Sequence, residues 1–319
     1  MSKKAHGVKG LSLALCLAAG FSFSACSDDD EGSGGSAAQE MPKVEDAGIQ
    51  FPVTQLSDGY NTVSYSYSAD GRMTGGSISY GTRYTITYEP LTLTEQDGDY
   101  TGTFRNIKTN SNGFMTYAEV SYSDSEESES GSITWKYDAD GHLVGESGNI
   151  TDSSEGPYSW TCTYTWENGN LMNAEYREVW EGETYRETYT FAYNNSQWEN
   201  PGIYPEGMIE VTGTMQPILF YSGLLGRTTQ NIPTRVTETD YEGDRETYSN
   251  TDNAVDVDYN PDGSVKSIEM QDESYGNTDT YYFGYADYPI QGLPSYSAAP
   301  AKKSPKAFRS MKERRMMKR

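Results

Sequence analysis

The chain has 319 residues, with 47 Asp and Glu against 24 Lys and Arg, a net charge of −23 and a mean hydropathy of −0.75. An acidic excess of this size repels phosphate backbones and excludes nucleic acid as a partner. Low hydropathy alone fits a disordered chain, but 27 tyrosines and five tryptophans recur with strict regularity, which calls for a folded body.

Lys3, Lys4 and Lys9 precede an apolar stretch at residues 11–23. It is shorter than the roughly 20 residues of a spanning helix, so it reads as the core of a signal peptide. The stretch ends in Ser24-Ala25-Cys26, small residues before a cysteine. That pattern makes residues 1–25 a lipoprotein signal and Cys26 the lipidation site, a membrane anchor through acyl chains. Ordinary secretory cleavage after Ala25 is the alternative. Ser27-Asp28-Asp29-Asp30-Glu31 and the Gly/Ser/Ala-rich residues 32–38 then make residues 26–46 an acidic tether. As flexible coil it holds the domain on the order of 25 Å from the lipid.

Cys16 and His6 leave with the signal, so Cys162 has no partner for a disulfide and the lone His142 excludes a His-pair zinc site. No cofactor is implied. Residues 47–294 are long enough for one large all-β domain with a sizeable core.

Within that domain an alternating aromatic strand, a polar Gly turn and an apolar residue two places after the Gly keep returning. Examples are Tyr67-Ser68-Ala69-Asp70-Gly71-Arg72-Met73, Tyr137-Asp138-Ala139-Asp140-Gly141-His142-Leu143 and Tyr259-Asn260-Pro261-Asp262-Gly263-Ser264-Val265. Gly113, Gly141 and Gly169 are evenly spaced by 28 residues, the length of two strands and two connections. Before each turn every second residue is apolar, as in Ile133, Trp135, Tyr137 and Trp160, Cys162, Tyr164, Trp166, the signature of a half-buried strand. After each turn the apolar phase slips by one, which a β-bulge three or four residues past the Gly would absorb while bending the strand. Repeated bulges curl a sheet. The fold expected is therefore all-β, an antiparallel up-and-down meander curled into a barrel or half-barrel. One stretch departs from it. Residues 208–225 are the most apolar of the mature chain, and Pro217 with Gly226 brackets a short internal helical segment near residues 215–226. Residues 295–319 are a basic tail: nine Lys and Arg lie in residues 302–319, a contact for anionic headgroups or a disordered terminus.

Several of these features resemble one family. They are the cysteine with Ser-Asp-Asp-Asp-Glu behind it, the Tyr-x-x-Asp-Gly turns, Tyr193-Asn194-Asn195-Ser196-Gln197-Trp198-Glu199-Asn200-Pro201, and Leu225-Gly226-Arg227 before Asn231-Ile232-Pro233. Together they resemble a gut Bacteroidota surface lipoprotein family of unknown function with a porin-like β fold. The resemblance spans residues 47 to about 290 and implies an outer-membrane, lipid-anchored protein facing the cell exterior. It implies no catalytic residues.

Candidate sites follow from residue chemistry. Asp258, Asn260, Asp262 and Glu269 fit a calcium-loop spacing, but the alternation of Val255, Val257 and Tyr259 favours a hairpin there. Trp135, Tyr158, Trp160, Tyr164, Trp166 and Trp180 offer rings to a glycan or lipid, or else fill the core. Glu167, Glu175, Glu178, Glu181, Glu183 and Glu187 could pair carboxylates for glycoside hydrolysis, although such clusters are expected on the solvated strands of so acidic a chain. The leading expectation is non-enzymatic binding of a glycan, lipid or envelope partner. A structural or adhesive surface protein comes next, and a glycosidase after that.

Overall fold

The computed structural model describes residues 43–79, 81–125, 127–154, 156–180, 183–194, 198–204 and 217–291, without the side chains of residues 180, 183 and 217. Cys26, residues 208–216 and the basic tail lie outside these. The strands are β1 (Gln55–Ser57), β2 (Thr62–Tyr67), β3 (Met73–Ile78), β4 (Arg83–Tyr88), β5 (Leu91–Asp97), β6 (Tyr100–Thr109), β7 (Met115–Ser123) and β8 (Ser128–Tyr137). They continue as β9 (Leu143–Asp152), β10 (Gly156–Glu167), β11 (Asn170–Trp180), β12 (Glu183–Ala192), β13 (Arg235–Glu242), β14 (Arg245–Tyr259), β15 (Val265–Asp272) and β16 (Thr278–Gly284). Each pairs antiparallel with its sequence neighbours and β1 pairs with β16, so the meander closes as a barrel of 16 strands. Closure leaves no sheet edge exposed, and a half-barrel would have left two.

The expected bulges are present at one fixed place. Thr74, Thr116, Val144, Met172 and Lys266 are each skipped by the register, and each stands three residues after the glycine of its turn. Those glycines, Gly71, Gly113, Gly141, Gly169 and Gly263, all have φ between 73° and 92°, where a Cβ is strained. The bulge restores the face of the following strand, so the residue two after the glycine and later positions such as Ala118, Val120, Tyr122, Ala174, Tyr176 and Ile268 point inward.

A second regularity joins successive repeats. The aromatic residue ending one strand donates a hydrogen bond to the carbonyl of the apolar residue two past the previous glycine. Tyr88 Oη bonds Met73 O at 2.9 Å, Tyr137 Oη bonds Met115 O at 2.7 Å, Trp166 Nε1 bonds Leu143 O at 2.8 Å and Tyr193 Oη bonds Leu171 O at 2.8 Å. A carbonyl freed by the bulge and a half-buried aromatic donor thus satisfy each other, as polar groups withdrawn from water must.

The mouth on the Gly-turn side is filled by the chain itself. A 3-10 turn at Val44–Ala47, the stretch to Val53, residues 198–204 and the helix α1 (Pro217–Tyr221) with its continuation to Ile232 form a plug. Ile218, Leu219, Phe220, Tyr221, Leu224 and Leu225 are all buried. Val44, assigned by composition to the tether, is part of this core. Pro217 opens the helix as expected, but the helix stops at Tyr221 and the left-handed glycine behind it is Gly223 (φ 79°). Gly226 serves a close approach instead. A Cβ there would lie 2.6 Å from Gly141 O, so only glycine lets the plug meet the turn. The plug is stitched to the wall by Met115 N to Leu224 O (2.9 Å), Arg227 N to Gly141 O (2.9 Å) and Gln230 N to Gly169 O (2.8 Å). Asn200 organises the crossing chains, receiving Gly202 N and Ile203 N at 3.0 and 2.7 Å and donating to Ile203 O and Thr229 O.

Candidate functional site

The alternation of each strand decides what faces the lumen and what faces outward. Along β10, Trp160, Cys162 and Tyr164 are buried, while Pro157, Ser159, Thr161, Thr163 and Thr165 are exposed. The outer face is tied by short polar pairs across neighbouring strands: Thr134 with Ser147 at 2.7 Å, Thr237 with Thr251 at 3.0 Å and Thr239 with Ser249 at 3.3 Å. Ion pairs join it, Arg105 with Glu119 at 3.3 Å and Arg186 with Glu175 at 3.5 Å. A membrane-spanning barrel has the opposite polarity, with an outward apolar band about 25 Å tall. Charges in the middle of strands would each cost about 2–4 kcal/mol against lipid. This wall is built to face water.

The lumen changes character along its length. Toward the plug it holds Met73, Met115, Leu143, Leu171 and Val265. Toward the other mouth, which we term the far mouth, aromatic rings alternate with carboxylates. Glu95, Glu146, Asp152, Glu178, Glu187 and Asp240 are buried, and no Lys or Arg is buried among the described residues. Aromatic donors take the place of counter-ions. Trp135 Nε1 and Tyr164 Oη bond the two oxygens of Glu146, the former at 2.8 Å. Tyr176 bonds Glu178 at 3.0 Å, and Tyr189 and Tyr185 bond the two oxygens of Glu187 at 2.8 and 3.3 Å. Burial pushes the Glu146 carboxyl up to about 7, against the downward pull of Tyr164 and Trp135.

Nearest the far mouth, Tyr100, Tyr122, Glu129, Asp152 and Tyr158 come together from β6 to β10. Tyr100 and Tyr122 stack with centroids 6.1 Å apart, and Gly102 makes room, since its Cβ would meet the Tyr122 ring at 2.8 Å. Register sets Tyr122 opposite Glu129 and Glu129 opposite Asp152, and Tyr158 hydrogen-bonds Glu129. Tyr100, Glu129 and Tyr158 remain half-exposed. Burial first, then neighbouring carboxylates, raise the phenols of Tyr100 and Tyr158 far above their ordinary value, so both stay neutral donors.

Of the rings singled out by sequence, Trp135, Trp160 and Tyr164 are buried in the wall. Trp160 lies against Gly148, whose Cβ would fall 2.3 Å from the indole, and stacks on Tyr176. Trp166 stacks on His142 at 4.4 Å near the plug, and Tyr158 belongs to the far cluster. The side chain of Trp180 lies outside the described residues. The glutamate run is divided between faces. Glu175 faces outward to Arg177 and Arg186, Glu167 is exposed, and Glu178 and Glu187 face the lumen. Glu181 and the Glu183 side chain are outside the described residues. Asp258, Asn260, Asp262 and Glu269 stand in the hairpin of β14 and β15, not in a helix-flanked loop. There Asp258 pairs with Lys266 at 3.1 Å and Asp262 accepts from Ser264 N at 3.0 Å.

Among the described residues two other groups bring three ligand atoms within 4.8 Å of one another: Asp138, Asp140 and His142 in a Gly turn, and Glu187, Glu238 and Asp240 in the lumen. The second has the oxygen donors a hard cation takes. Of the lumen carboxylates, sequence reasoning singled out Glu178 and Glu187 and passed over Glu95, Glu146, Asp152 and Asp240 because acids are so frequent. Their signal was phase, since Glu146, Ile150 and Asp152 share one parity of β9.

Fold and lumen define a class: a closed, self-plugged β barrel with a water-facing wall. The chain belongs to the family described as a domain of unknown function (DUF4595) with porin-like fold, whose profile matches residues 61–264. A porin-like protein from Bacteroides uniformis is similar at 16% identity and TM-score 0.50, over 74% of this chain and 97% of that one. Another, from Bacteroides vulgatus, is similar at 14% identity and TM-score 0.50, over 74% and 98%. At these identities the likeness concerns the fold. No curated protein matches the chain.

Proposed function

We propose that the protein is a non-enzymatic binding barrel of the cell envelope, anchored through Cys26 and facing outward, which takes a glycan at the far half of its lumen. The observation that carries this reading is the half-exposed cluster of Tyr100, Tyr158 and Glu129, set where the lumen is lined by rings and acceptors instead of aliphatic packing. Flat rings stack on sugar faces, and carboxylates accept from sugar hydroxyls. An anionic ligand is disfavoured by the surrounding acids. Titrating the protein with neutral oligosaccharides by calorimetry tests the reading. Tyr158→Ala and Glu129→Gln should each weaken a bound glycan by roughly tenfold, or about 1.4 kcal/mol. Absence of binding across a broad glycan panel, or binding that both variants leave unchanged, overturns it.

A second reading, an adhesive surface protein, is favoured by Tyr60 and Tyr275. They stand 72% and 79% exposed on connections at the far mouth, where a flat partner would meet them.

A further inference from the structure

The far half of the lumen has two facing walls. In a closed ring of 16 strands each strand stands across from the one halfway round, so β6, β7 and β8 look toward β14, β15 and β16. The first wall, continued by β9 and β10, carries the cluster of Tyr100, Tyr122, Glu129 and Tyr158, with Glu95 and Asp152 buried beside it. On the second, Asp252 pairs in register with Asp272, and Met270, in the same inward phase, pairs with Asp279. Asp252 and Asp272 stay half-exposed and Asp279 exposed although they stand in the inward phase, so this wall borders open space. Burial first, then Asp272, Glu238 and Asp279, hold the Asp252 carboxyl above its ordinary value, as like charges do when crowded.

Among the described residues no base answers these acids from inside. Arg83 stands in the outward phase beside buried Tyr84, and Arg177 and Arg186 hold Glu175 on the outer face. Arg235 and Arg245 are spent on Glu273 and Glu242, at 2.9 and 2.8 Å. Low-dielectric walls of one sign focus the field between them and draw in the opposite charge.

The tyrosines suit the same visitor. Tyr100 and Tyr158 are half-exposed and remain neutral phenols, whose ring faces attract an ammonium group. Glu129 hydrogen-bonds Tyr158 and lies close to Tyr100, and a carboxylate so placed accepts charge-assisted bonds from an amine. The Tyr100 hydroxyl is withdrawn from water and bonded to no group among the described residues. A neutral sugar could satisfy that hydroxyl but would leave the acids uncompensated. An ammonium group does both.

We propose that the ligand taken at this cluster carries a protonated amino group, held by the rings of Tyr100 and Tyr158 and by the carboxylate of Glu129. The proposal rests on the reading of the far lumen as a glycan site, and on that reading the ligand is a glycan with unacylated amino sugars.

The test titrates the full chain by calorimetry at about pH 6, below the range in which such amines lose their proton. The probes are three β-1,4-linked tetrasaccharides that differ in the group on carbon 2: those of glucosamine, of N-acetylglucosamine and of glucose. Spermidine serves as an amine without a sugar ring. The glucosamine tetramer should bind at least about tenfold more tightly than the other two, and the preference should shrink as salt is added. Glu129→Gln should remove most of it. Tyr100→Phe, which keeps the ring, should retain more of it than Tyr100→Leu. Glu167→Gln, an exposed acid at the other end of β10, should leave it intact. Equal affinity for the three tetramers overturns the proposal and leaves the glycan reading standing. A preference that Glu129→Gln does not reduce, or that Glu167→Gln reduces as much, also overturns it, because the attraction would then belong to the acidic surface at large. Spermidine binding as tightly as the glucosamine tetramer, and displaced by it, supports the ammonium site and removes the glycan. Binding of none of the four probes overturns both.

Discussion

The two halves of the lumen are made by the same strands and differ in what they enclose. On the Gly-turn side, the wall presents Met, Leu and aromatic residues to a plug that brings its own apolar surface and backbone bonds. On the far side no plug segment meets the wall among the described residues, and the residues in the same inward phase are tyrosines and carboxylates. A barrel of this many strands is too wide for its own side chains to fill. One half is therefore filled by added chain, and the other keeps polar groups whose desolvation is offset by aromatic hydrogen bonds. Stability should concentrate in the first half and ligand chemistry in the second.

The largest expected effect breaks that contrast at its stronger side. Phe220 is fully buried in α1 and packs against Tyr204 at 5.0 Å, so Phe220→Ala should destabilise the fold by about 3–5 kcal/mol in urea unfolding. Tyr158→Ala, in the half-exposed cluster, should cost less than about 1 kcal/mol. Equal losses at the two sites would mean that the far half is as much a packed core as the plug.

Glu146 sharpens the comparison through pH. Its carboxyl titrates near 7 in the fold against 4.5 in the unfolded chain, because burial opposes its charge. The groups facing it are Trp135 and Tyr137 from β8 and Cys162 and Tyr164 from β10. With the folded value raised, the favourable contribution is complete below about pH 4.5 and is lost as pH rises through about 7. The loss is of the order of 3 kcal/mol. Glu146→Gln should flatten this part of the stability profile, read as Tm between pH 5 and 8. A variant that keeps the wild-type slope would assign the pH dependence elsewhere.

The smallest effect concerns the outer wall. Thr134 and Trp135 are adjacent, one facing water and one buried beside Glu146. Thr134→Ala should change stability by no more than about 0.5 kcal/mol, as surface positions do. A loss above about 2 kcal/mol in denaturant unfolding would show that the Thr/Ser pairs of the wall carry the barrel.

Much of this architecture is local and was legible in the chain. Period-two alternation gave the strands, Tyr-x-x-Asp-Gly the turns, and the phase slip after Met73, Leu171 and Val265 the bulges, because each depends on a few neighbouring residues and on backbone sterics. Pro217 likewise marked the start of the helix. Closure was not legible, since whether β1 meets β16 depends on curvature summed over all 16 strands. Nor was the split of the rings: Trp160 and Tyr158 share one strand and one parity, yet the first is sealed against Gly148 and the second stays half-exposed by the far mouth. Strand phase determines that a side chain points inward. What it meets there, plug, carboxylate or open lumen, is decided by segments far off in the chain, as Tyr137 reaching Leu224, 87 residues away, shows, and only the closed tertiary fold brings them together.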